Sequence, residues 1–263
     1  MKKVQIIILI AALLCFIGSA AYLGKYFWDR HVSAENMNSV RELLTDDEEA
    51  AEEEADDQES VPKPAAKTPE GILKKYSKLH ESNPDFVGWV TVEGTRIDYP
   101  VMYVEGDNET YLHHNFDKAY DDNGVPFIDG GCHLNPNSDI LILYGHHMND
   151  NSMFASMTDY KDKSFYEKHP YIKFDTIWEE GTWEITNVIL ARALYDNEEG
   201  FRYYGIIDFT DKNQFDDYMQ NINSLSLYDT GSKPEYGDQM IILSTCEYSQ
   251  DNGRMALIAK KIR

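Results

Sequence analysis

The longest apolar run in the chain, VQIIILIAALLCFIGSAAYL at 4–23, contains no charged residue. Twenty helical residues at about 1.5 Å each reach about 30 Å, the thickness of a bilayer core. Lys2 and Lys3 precede the run and acidic residues follow it downstream, which orients the N-terminus inward. Residues 4–24 read as an uncleaved single-pass anchor with 1–3 cytoplasmic. The small-residue stretch GSAA keeps a cleaved signal peptide open as the rival reading. From 25 to 69 the pattern fades. SVRELL offers one helical turn, DDEEAAEEEADDQE (46–59) carries ten acids and no base, and VPKPAAKTPE adds prolines. So little apolar surface, with like charges repelling, predicts an extended extracellular linker that lifts a domain at 70–263 off the membrane.

Past Pro69 the pattern changes again. PEGILKKYSKLHESN has a weak helical period through Ile72, Tyr76 and Leu79. Then come short β-branched and aromatic runs: FVGWVTV, RIDYPVMYV, VPFID, DILILYG, YIKFDT, WEITNVILARAL, MIILSTC and RMALIAKKI. Gly, Asn and Asp separate them, as turns between strands require. NSMFASMTDY and DKNQFDDYMQNINSL are the two helical interruptions, the second placing Phe215, Met219 and Ile222 on one face. Many strands with few helices predict a mainly β barrel or sandwich rather than a parallel βαβ sheet.

Charge and cysteine content narrow the function classes. The net charge is −22 and no Lys/Arg-rich patch occurs, which argues against a nucleic-acid partner. Cys132 and Cys246 are the only cysteines outside the apolar run, too few for a disulfide framework. They read as two free thiols, with a single bridge between them as the alternative.

Cys246 ends an apolar strand. Arg254 lies eight residues on, across a turn containing SQDNG, so a hairpin would bring guanidinium and sulfur to one sheet end. A fixed cation favours thiolate and can hold a developing oxyanion. DILILYGHHMND places His146 and His147 at another strand end, where one could exchange protons with a cysteine nucleophile. Successive strand residues face opposite ways, so only one can point at Cys246, and local physics does not choose between them. Three other uses stay open: a core cysteine in a non-catalytic binding domain, a thiol hydrolase using water, and a zinc shell. The last would draw on Cys132, His113, His114, His133, His146 and His147, but no spacing matches a compact metal signature.

Taken together these residues resemble the sortases, membrane-anchored cysteine transpeptidases of Gram-positive bacteria. The family signature is a strand ending T-L-x-T-C, a following strand opening with arginine, and an upstream strand ending G-H. Here they read ILSTC, NGR and YGH, with Ile242 replacing the first threonine. FVGWVTVEGTRIDYPV, YLHHNF, NGVPFID, GHHMNDNSMF, the S-T-C form and the helix inserted before the cysteine strand look like class B. The resemblance implies a closed eight-stranded sortase β-barrel with an N-terminal helix. It implies Cys246 as nucleophile, His146 as general acid and base, and Arg254 as oxyanion and substrate donor, with no metal and no organic cofactor. It further implies groove-lining roles for Asn108, Leu112, Tyr144, Ser244 and Glu247. The implied partners are secreted proteins with a C-terminal sorting signal, cleaved after threonine. The implied acceptor is an amine of a peptidoglycan precursor or a pilin lysine.

Overall fold

A computed structural model of the chain describes residues 2–53, 65–195 and 197–263. Eight strands close into a barrel: β1 (Phe86–Thr91), β2 (Asp98–Met102), β3 (Phe127–Ile128), β4 (Ile140–Tyr144), β5 (Tyr171–Thr176), β6 (Thr182–Arg192), β7 (Met240–Cys246) and β8 (Gly253–Lys261). Their order around the barrel is β1-β2-β3-β4-β7-β8-β6-β5, and β5 pairs back onto β1. Each corresponds to one of the strand patterns in the sequence: β5 and β7 in full, β1 to β4 trimmed at their ends, and β6 and β8 begun one residue earlier.

The helices are α1 (Lys2–Glu53), α2 (Ser77–Ser82), α3 (Lys163–Tyr166) and α4 (Lys212–Leu225). The stretch predicted as a helix from Asn151 forms a 3-10 helix, Ala155–Lys161. Asp211 caps α4, its carboxylate accepting the amide of Gln214.

Strands β4 and β7 are parallel neighbours in the barrel, Tyr144 level with Ser244, and β8 runs antiparallel to β7. Both are apolar on two faces because both faces are covered. Leu141, Leu143, Ile241 and Leu243 fill the barrel interior with Leu257 of β8. Ile140, Ile142, Met240 and Ile242 point the other way, beneath Phe215, Tyr218, Met219 and Ile222 of α4. The residue in the place of the signature threonine, Ile242, is thus buried under α4.

The extended linker expected over 25–69 is corrected at its start, because α1 continues through Glu53. Met37 and Val40 are buried in the main core, and Leu43 and Leu44 pack against it. Their spacing forms an apolar stripe one helical face wide, which charged neighbours mask in the sequence. Polar contacts flank it: Arg30 pairs with Asp150, Asn36 donates to Asp117 at 2.5 Å, and Arg41 Nε donates to Asp98 at 3.1 Å. The later part of the linker, 54–64, lies outside the described residues.

Candidate active site

The hairpin of β7 and β8 sets Cys246 directly opposite Arg254. Directly opposed residues share a face, with Cβ atoms about 5 Å apart. That face is the one holding Ile242 and Ser244, so both side chains project from the outer wall of the barrel. Cys246 is half-buried, and neither it nor Cys132 is in a disulfide. Arg254 donates from Nη1 to the carbonyl of Gly253 at 3.0 Å and, among the described residues, pairs with no carboxylate. Its positive charge is therefore uncommitted beside the thiol.

β4 delivers the histidines. Gly145 extends the parallel ladder by donating to the Ser244 carbonyl at 3.1 Å, which brings 146 level with the cysteine. A side chain at 145 is excluded: a Cβ there would stand 2.7 Å from the Phe154 ring. The His146 ring engages the Leu112 carbonyl through Nε2 at 2.8 Å. A carbonyl only accepts, so Nε2 carries the proton and Nδ1 is the nitrogen left for chemistry. The His147 ring turns elsewhere, its Nδ1 donating to the Cys246 carbonyl at 3.0 Å. It props the main chain of the cysteine. Among the described residues no three His, Cys, Asp or Glu side chains are grouped to hold a metal ion. Burial pushes the Cys132 thiol up to about 12, and its sulfur faces the Ile140 carbonyl at 3.5 Å.

A thiol beside an unpaired guanidinium, with an oriented imidazole at the same sheet end, suits acyl transfer through a thioester. Known proteins bear on the same point. No protein-family model matches the chain. The sortase B of Listeria monocytogenes is 34% identical over 197 residues, covering 73% of this chain and 75% of that protein. The sortase B of Staphylococcus aureus is 30% identical over 200 residues, covering 75% and 79%. This chain belongs to the class B sortases.

Solved class B sortases share the fold as well. The sortase B of Bacillus anthracis in complex with AAEK1 matches at TM-score 0.72 and 26% identity, over 90% of this chain and 99% of that one. A Staphylococcus aureus sortase B–substrate complex matches at 0.66 and 29%, over 74% and 87%. A sortase B complexed with triglycine matches at 0.64 and 30%, over 72% and 86%. The chain is a sortase, a cysteine transpeptidase, and its barrel is the sortase barrel.

The other residues singled out in the sequence are gathered around this sortase site with most of their polar atoms already engaged. Tyr144 donates to Asp129 at 3.0 Å, and Asn108 accepts the Gly130 amide at 2.7 Å while reaching the same aspartate at 3.4 Å. Leu112 contributes its carbonyl to His146. Ser244 is buried and shares a 2.7 Å hydrogen bond with the Tyr203 hydroxyl. Tyr203 in turn receives a hydrogen bond on its carbonyl from Tyr218 of α4.

Glu247 is 4% exposed, and Lys161 donates to it at 2.6 Å. Burial opposes its charge, but the hydrogen bonds from Lys161 and from the Ser249 hydroxyl and amide outweigh that and pull the carboxyl to about 2. Tyr203 and Lys161 carried no signal in the sequence, and Asp129 a slight one. Only the last residue of VPFID, the acid closing an apolar strand, could have drawn notice to Asp129.

Proposed function

We propose that this sortase is a membrane-anchored enzyme that cleaves a C-terminal sorting signal after threonine and joins the new carboxyl end to an amine of a cell-wall precursor. Cys246 passes its thiol proton to His146 Nδ1 as Sγ attacks the scissile carbonyl, and Arg254 holds the resulting oxyanion. His146 protonates the departing amine, leaving a thioester on Cys246. The incoming amine gives its proton to His146, which passes it to the expelled Cys246 sulfur, so the amide is re-formed and the thiol restored with no net redox change. Residues 4–24 span the membrane with the barrel outside. Asn108, Leu112, Tyr144, Ser244 and Glu247 form the walls of the substrate groove. Since most of their polar atoms are held internally, they act chiefly by shape.

The observation that carries this reading is the register of Cys246 against Arg254, with the uncommitted guanidinium beside the thiol. The relatives add support: one Staphylococcus aureus sortase B is bound to a substrate and another sortase B to triglycine, an amine. The test uses the full chain in nanodiscs with a sorting-type peptide and triglycine. Mass spectrometry should find an acyl adduct on Cys246 and a peptide–triglycine product, both abolished in Cys246→Ala. Arg254→Ala should lower kcat by about 10²–10³, the usual loss for one oxyanion donor. A wild type that no sorting-type peptide acylates would refute the proposal. Cleavage that proceeds equally without triglycine would instead assign water as the acceptor.

A further inference from the structure

The segment 147–153 follows His146 and is closed on itself. His147 and Met153 form a backbone bridge, and the Phe154 amide donates to the His146 carbonyl at 2.9 Å. Two of its residues that are not glycine, Asn151 and Met153, hold left-handed backbones, with φ of 64° and 54°. Methionine rarely adopts that conformation, so the surroundings must enforce it. α1 does so from two points. Arg30, its side chain 18% exposed, pairs with one carboxylate oxygen of Asp150, and the other oxygen accepts the Ser152 amide at 3.1 Å. Arg41 lies over the Tyr99 ring, 5.6 Å from its centroid, and the Tyr99 hydroxyl oxygen accepts the Met153 amide at 3.0 Å. Arg96 completes the grip from the barrel, donating to the Asp150 carbonyl at 2.9 Å.

The same segment reaches the cysteine strand. His147 Nδ1 donates to the Cys246 carbonyl at 3.0 Å, and its ring stands edge-on to Tyr248, 5.1 Å away. The contacts therefore run from α1 through Asp150 and Met153 to His147, and from there to the main chain that carries the thiol.

We propose that Arg30 and His147 are positioning residues of the transfer reaction: α1 holds the 147–153 segment closed, so that His147 fixes Cys246 against Arg254 and His146. The inference goes beyond the sorting reading, since it applies to whatever acyl group Cys246 accepts. Fixing the thiol matters because a misplacement of about 1 Å can slow a reaction about 10²-fold.

Steady-state kinetics on the full chain in nanodiscs test it, with a sorting-type peptide and triglycine. Arg30→Ala should lower kcat about fivefold, the scale of one ion pair, and leave the KM for peptide unchanged. Arg30→Lys should keep most of the rate. His147→Ala should lower kcat about tenfold. His147→Asn, whose amide nitrogen takes the place of Nδ1, should retain the rate. The double variant Arg30→Ala, His147→Ala should be no slower than His147→Ala alone, because both act along one chain of contacts. Thermal midpoints separate these losses from unfolding. Hydrogen exchange needs no substrate: amides 151–155 should exchange faster in Arg30→Ala than in the wild type. That measurement decides the matter even where no sorting-type peptide acylates the wild type. A wild-type kcat in Arg30→Ala, a loss carried in KM, additive losses in the double variant, or unchanged exchange at 151–155 would each overturn the proposal.

Discussion

Glu247 is buried yet ionised, and its charge has a consequence for stability. Its carboxyl titrates near 2 in the folded protein against an ordinary value of 4.5. A depressed folded value means that the stabilisation is complete above the unfolded value and is lost as pH falls from about 4.5 toward 2. Glu247→Gln should therefore flatten that segment of the curve of thermal midpoint against pH. An unchanged slope would show that the Lys161 and Ser249 contacts do not hold the charge in solution. The residue adjoins Cys246, so the acid limb of stability is tied to the same turn that carries the thiol. Cys246, Arg254 and the His146–His147 pair stood out as candidates in the sequence because each stands at one end of a strand pattern, a position set by local periodicity, while the family resemblance singled out His146. Their supports did not. Asp129 meets Tyr144 across 15 positions, Tyr203 meets Ser244 across 41, and Lys161 meets Glu247 across 86. Such pairs arise only when the barrel closes.

The strands were legible as elements because an apolar run of five to seven residues covered on both faces has few other uses. α4 was legible from Phe215, Met219 and Ile222 recurring at helical spacing. The second half of α1 was not, because its stripe of Met37, Val40 and Leu44 is thin and set among charges. Packing against the barrel decided it, a term that local propensity does not contain. Met37→Ala should remove about 2 kcal/mol of docking free energy, the lower end for burying and then deleting this side chain. Hydrogen exchange is the suitable measurement, since local opening is read element by element. Amides of 30–44 should exchange faster while those of β7 and β8 keep their protection. Equal acceleration throughout would mean that helix and barrel open as one cooperative unit.

For the molecule as a whole, the proposed anchor is the property that would organise the rest. Among the described residues one helix is long and apolar enough to cross a membrane, and the large apolar side chains between Val4 and Leu23 are exposed. Membranes from cells expressing the chain should retain it through alkaline carbonate washing, and protease added outside intact cells should digest the barrel. Release by carbonate, or protection from outside protease, would count against the proposed anchor and its orientation. With that anchor in place, the unbroken course of α1 fixes something a loose tether would leave free. Arg30 already pairs with Asp150, on the loop that follows His146, only seven residues beyond Leu23. Seven helical residues rise about 10 Å, so with the proposed anchor the barrel rim would ride close above the headgroups. An enzyme on a slack leash searches a dome of space around its root. One carried on a short rigid stalk patrols a single layer at constant height, and its encounters with other membrane-held molecules become a matter of lateral diffusion.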